Sequence, residues 1–129
     1  MQKPDSLLRI DCDDLQQFFK LWFKFLEPLH HLTDREVDVL ACLCKYRYLL
    51  GKKIMDDEIL DNVLFSEDIK KKIIEDLGMS LQYYQVIISK LRKVNLLKEG
   101  HIEPRIVPNL KEDRGNYTLM LNFIIKDNA

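Results

Sequence analysis

The chain has 129 residues, a net charge of −1, 47% hydrophobic residues and 32% charged ones. That length supports one sizeable hydrophobic core, and the balance of apolar to charged residues excludes a disordered chain. Near-zero net charge excludes a protein that coats nucleic acid indiscriminately, and no apolar run approaches the ~18 residues of a membrane span.

The N-terminal MQKPDSLL lacks the charged-then-apolar layout of a secretion signal, so a cytoplasmic location is expected. Residues 7–10 are short and apolar and suit an edge strand. Asp11 or Asp13 then caps a helix that runs to about Glu27, before Pro28. Its core stripe is Leu15, Phe18, Phe19, Trp22 and Leu26. Leu21, Phe23 and Phe25 fall off that stripe, so the helix is apolar nearly all round. Such a helix is either sandwiched inside the fold or turned toward a partner.

His30 and His31 follow, near Glu27. A metal site there would need further ligands, and the histidines read as structural. Thr33 and Glu36 have capping-box spacing. The helix they open, 34–50, places Val37, Leu40, Ala41, Cys44 and Tyr48 inward and ends at Gly51. Cys42 and Cys44 point to different sides of it. With Cys12 they make three cysteines, an odd number without disulfide or zinc spacing, so reduced thiols are expected. Residues 55–65 form a short helix with an acidic start, Asp56, Asp57 and Glu58.

The stretch 66–97, SEDIKKKIIEDLGMSLQYYQVIISKLRKVNLL, is the most informative. Ser66 caps a helix whose apolar positions are Ile69, Ile73, Ile74 and Leu77. Gly78 supplies the left-handed residue past its end, and Ser80 caps a second helix with Tyr84, Ile88 and Leu91 on one face. Residues 1–65 hold nine Lys/Arg and twelve Asp/Glu, a balance of −3, whereas 66–98 hold seven and four, a balance of +3. The basic excess therefore falls on these two helices. Beyond them, Gly100, Pro104, Pro108 and Gly115 punctuate shorter apolar runs. Residues 101–107 and 117–125 are strand candidates, and 109–116 (NLKEDRGN) is a polar hairpin tip between them.

Two helices joined by a glycine-containing turn and followed by a β-hairpin form a recognisable series. Residues 73–97, with Gly78, Met79 and Ser80 at the turn, core positions Tyr84, Ile88 and Leu91, and the terminal pair Leu96 and Leu97, resemble the winged helix-turn-helix pattern of bacterial and phage regulators. The resemblance covers about 33–125 at fold level and about twenty-five residues at motif level. It implies a mainly α fold with a small C-terminal β-hairpin as the wing, here with an extra N-terminal helix, in one domain spanning 1–129. The style of the chain is also similar to small proteins of tailed phages.

In DNA-reading members of that superfamily the outward face of the second helix meets the major groove. The corresponding positions here are Leu81, Gln82, Gln85, Val86 and Ser89, with Arg92 and Lys93 further on. The resemblance implies that Gln82 and Gln85 reach base edges and that Ser89, Arg92, Lys93 and Lys72 meet phosphates. On the wing, Lys111 and Arg114 would touch the DNA backbone or a minor groove, although Glu112 and Asp113 between them oppose insertion. Leu81 and Val86 fit a polar groove poorly and a protein interface better. Winged helices also serve as protein-binding modules. The implied function is therefore duplex DNA binding in a regulatory, replication or packaging role. The alternative is a structural or assembly protein of a virion, contacting a partner or another copy through Leu21, Phe23, Phe25, Leu81, Val86 and Ile87.

The sequence holds no nucleophile elbow, phosphate-binding loop, metalloprotease helix or dinucleotide fingerprint. Its carboxylate pairs sit at helix starts, where acids are expected anyway. No enzyme activity, cofactor, metal or small-molecule substrate is expected.

Overall fold

The computed structural model describes residues 8–108, 110 and 123–126. Cys12–Pro108 makes one compact unit, and the described residues 8–11, 110 and 123–126 belong to a second. The first unit is mainly helical with a small antiparallel hairpin. Its order is α1 (Leu15–Phe25), α2 (Glu27–His30), α3 (Asp34–Gly51), α4 (Asp57–Leu64), α5 (Glu67–Leu77), α6 (Leu81–Lys93), β1 (Leu97–Lys98), β2 (His101–Ile102) and a 3₁₀ turn at Pro104–Ile106. Among the described residues no helix is long and apolar enough to cross a membrane.

Five of the helices start on a side-chain cap. Thr33 and Glu36 form the reciprocal box expected of them, and Asp56, Ser66 and Ser80 each accept from the backbone N–H three residues on. α1 is capped by Asp14, not by Asp11 or Asp13. Pro28 does not follow the end of one long helix: it sits in the first turn of α2, where its missing N–H costs nothing.

The core is built around α3. Every residue from Val37 to Cys44 is buried, because α3 packs against α1, α4, α5 and α6 at once. The one charge in that run, Asp38, is paired with Lys20 of α1 at 2.9 Å and with Arg35 at 3.1 Å. Pairing is what makes such burial tolerable. Burial pushes the Cys42 and Cys44 thiols up to about 12, so both stay protonated.

α1 faces α3 through Phe19 and Phe23, which are fully buried. Phe23, expected on a partner-facing side, is thus a core residue. The stripe turns slightly from its expected position, leaving Leu15, Phe18, Leu21, Trp22 and Leu26 half-buried. The cause is tertiary: α3 packs along the side of α1 that carries Phe19 and Phe23. His30 accepts the Leu32 N–H on Nδ1 at 2.9 Å, so Nε2 carries the proton and donates to the Phe23 carbonyl at 2.6 Å. Both ring nitrogens of His30 serve the turn between α1 and α3.

A hairpin forms before the one expected from the sequence. Leu97 pairs with Ile102 and Lys98 with His101. Glu99 and Gly100 both adopt positive φ, 45° and 80°, as a two-residue loop of primed type requires. The expected strand at 101–107 keeps only its first two residues; Pro104 then lacks an N–H for the ladder and opens the 3₁₀ turn. Residues 8–10 form no strand, and neither do 123–125. Residue 7, residues 117–122 and all of the expected tip except Leu110 lie outside the described residues, as do Lys111 and Arg114.

Candidate nucleic-acid interface

The α5–turn–α6 segment is fixed at both ends of its turn. Gly78 is left-handed (φ 59°, ψ 42°), its N–H donates to the Glu75 carbonyl and the Met79 N–H to the Ile74 carbonyl, both at 3.2 Å. That is a Schellman cap, and it consumes carbonyls that α5 would otherwise leave open. Arg35 of α3 donates to the Leu77 carbonyl at 2.7 Å while holding Asp38. Ser80 Oγ then accepts the Tyr83 N–H at 3.1 Å and starts α6. The far end of α6 closes in the same way, with Asn95 at φ 64°, the Asn95 N–H on the Arg92 carbonyl and the Leu96 N–H on the Leu91 carbonyl.

α6 buries Tyr84, Ile87, Ile88 and Leu91 and turns the rest outward. Ile87, expected on a contact surface, belongs to the core. It lies three residues after Tyr84 and four before Leu91, on the same side of the helix. Gln82, Gln85, Val86, Ser89, Arg92 and Lys93 are all exposed, and with Lys90 they line one open depression. The five residues expected on α6 to touch DNA, Gln82, Gln85, Ser89, Arg92 and Lys93, are thus brought together on one face with Val86. Neither glutamine amide, nor Arg92, nor Lys93 bonds to another described residue.

Charge on this face is of one sign. α6 contains no Asp or Glu, and its basic residues, Lys90, Arg92 and Lys93, occupy the last turn, where they also complement the helix dipole. Lys90 is the tethered one: its Nζ lies 3.3 Å from Glu36 Oε2, which joins α6 to the capping box of α3. Burial pushes the Glu36 carboxyl up, but the Thr33 N–H and the Lys90 ammonium outweigh it and hold the group below its ordinary value.

A second cleft runs between the start of α5 and α6, where Lys70, Gln85, Ser89 and Arg92 meet over Phe65 and Tyr84. Lys70, not Lys72, is the member of the lysine run that faces it; Lys72 is exposed elsewhere on α5. Lys70 is already paired with Glu67 at 2.9 Å. The Tyr84 hydroxyl is pushed up to about 12 by burial, with Arg92 pulling the other way, so it stays neutral. Of the run Lys70, Lys71 and Lys72, which the sequence reads as a solvated face or a phosphate contact, only Lys72 was expected as a contact, and Lys90 was not. Lys90 had a readable signal in its place four residues after Val86, whereas Lys70 is selected by the angle between α5 and α6, which no local pattern encodes.

The apolar residues expected at an interface divide. Val86 is 64% exposed, Phe25 54% and Leu81 47%, while Leu21 is half-buried and Phe23 and Ile87 are core. Among the described residues no group of three or more His, Cys, Asp or Glu is placed to share a metal ion. No family model matches the chain, and no curated protein or solved structure matches it either.

Proposed function

We propose that this protein binds duplex DNA without catalysing a reaction, laying the exposed face of α6 in the major groove. On this reading α5, the Gly78 turn and α6 are a helix-turn-helix, and the hairpin 97–102 is a short wing. The observation that carries the proposal is the composition of that face. Hydrogen-bonding side chains without a partner among the described residues, Gln82, Gln85 and Ser89, precede cations likewise unpaired there, Arg92 and Lys93, with no acid on the helix. Base-reading groups near the helix start and phosphate-binding groups further along match the way a recognition helix docks. The test is amide chemical-shift mapping with a mixed-sequence duplex. Shifts concentrated in 80–93 support the reading, and shifts scattered over the surface or absent refute it.

One observation favours a second reading, a protein contact through the same helix. Val86 and Leu81 are large apolar side chains left in solvent on α6. Under that reading Val86→Glu abolishes an assembly detectable by mass in solution while the monomer stays folded, and DNA has no effect on α6.

A further inference from the structure

We infer that the α6 face selects A·T base pairs, with Gln82 and Gln85 reading adenine edges and Val86 packing on a thymine methyl. The inference rests on the DNA-binding reading above and adds the sequence class of the duplex.

The spacing 82, 85, 86, 89 is the i, i+3, i+4, i+7 series that shares one side of a helix. From 82 to 89 the helix rises about 10 Å, which matches about three base pairs. Both amides are exposed and engage no described residue, so each is free to pair. A glutamine amide offers a donor beside an acceptor, which complements the N6 donor and N7 acceptor of adenine. Guanine presents two acceptors there and calls for Arg or Lys. On α6 such residues stand only in the last turn, and Lys90 among them is held by Glu36. Cytosine presents a donor, best met by a carboxylate, and α6 has none. The first two turns of α6 therefore carry a partner for adenine and none of the usual partners for guanine or cytosine. Val86, 64% exposed beside the two glutamines, is an apolar group in need of an apolar partner. The thymine methyl is the apolar group the major groove supplies.

The experiment compares binding of the full chain to four duplexes of equal length at one salt concentration. One has an A·T-rich centre and one a G·C-rich centre. A third replaces thymine by uracil in the A·T centre, and a fourth replaces adenine by 7-deazaadenine. The last two alter only the major-groove edge. The A·T centre should bind about tenfold tighter than the G·C centre, the worth of one good bidentate contact. Uracil should weaken binding roughly three- to fourfold, the worth of one methyl group, and Val86→Ala should be insensitive to that replacement. Gln82→Ala with Gln85→Ala should lose both the A·T preference and the response to 7-deazaadenine. Equal, salt-dependent binding to the first two duplexes would overturn base selection and leave DNA binding standing. An A·T preference that survives both replacements would also overturn it, because the narrow minor groove would then be what is read. No binding to any duplex at low salt would overturn the inference together with the reading it rests on.

Discussion

Arg35 Nη2 donates to the Leu77 carbonyl at 2.7 Å and thereby ties the central helix α3 to the last residue of α5, one position before the turn that aims α6. The same guanidinium holds Asp38, so one side chain joins the core charge to the placement of the candidate recognition helix. Arg35→Ala should cost about 1–2 kcal/mol, chiefly the hydrogen bond to the carbonyl. The ion pair adds little because Arg35 is partly exposed and Asp38 keeps Lys20. Arg35→Lys should recover only part of the loss, since an ammonium cannot reproduce the forked geometry. Urea unfolding of the two variants checks this, and equal stability of wild type and Arg35→Ala would contradict it.

Gly78 is required by conformation and not by space. A Cβ there would meet nothing within 4 Å, yet φ is +59°. Gly78→Ala should therefore destabilise by about 1–2 kcal/mol. Gly78→Asn should cost less, because asparagine tolerates the left-handed region. The order Gly, Asn, Ala in thermal midpoint is the expected outcome.

Phe23 and Phe25 are two residues apart and have opposite fates. Phe23→Ala should cost about 3–5 kcal/mol through the cavity it leaves under α1. Phe25→Ala removes a side chain that is 54% exposed and should change stability by about 0.5 kcal/mol or less. A large loss for Phe25 and a small one for Phe23 in chemical unfolding would reverse the assignment of core and surface on this helix.

Glu103 sets an acid limit on the end of the hairpin. Its carboxylate bonds Arg105 at 2.8 Å and pairs with Lys98 at 3.0 Å, and the Arg105 bond, followed by that to Lys98, holds it down to about 2. In the unfolded chain the group titrates near 4.3. The folded state thus binds fewer protons, so the stabilisation is complete above pH ~4.3 and is lost as the pH falls toward 2. Arg105→Ala with Lys98→Ala should flatten the stability profile over that interval and leave its neutral-pH shape unchanged.

How much of this was legible in the sequence depends on whether the signal was local. The cap residues Thr33, Ser66 and Ser80, the box with Glu36 and the turn at Gly78 are short-range chemistry, and each appears in the structure where its sequence pattern puts it. The outward set on α6 followed from helical spacing alone. Phe23 was misplaced because its burial depends on α3, which packs against α1 from outside, whereas Ile87 carried a local signal in its place on the Tyr84–Leu91 stripe. The hairpin at 97–102 was not foreseen because its loop, Glu99–Gly100, uses a glutamate in a positive-φ position, whereas the readable hairpin signals are Asn-Gly and Asp-Gly. Trp22 donating to the Ile106 carbonyl at 2.8 Å, across 84 residues, is likewise invisible to any local pattern.

Arg92 and Lys93 allow the central claim to be tested most directly, by measuring duplex affinity over a salt series for the wild type and for Arg92→Ala with Lys93→Ala. If the α6 face engages DNA, wild-type affinity falls steeply with salt. The double variant should bind more weakly at every salt, and its log–log slope should be shallower by about 2, one unit for each lost phosphate contact. A wild type that fails to bind at low salt, or a double variant whose affinity and slope match the wild type, would contradict the account.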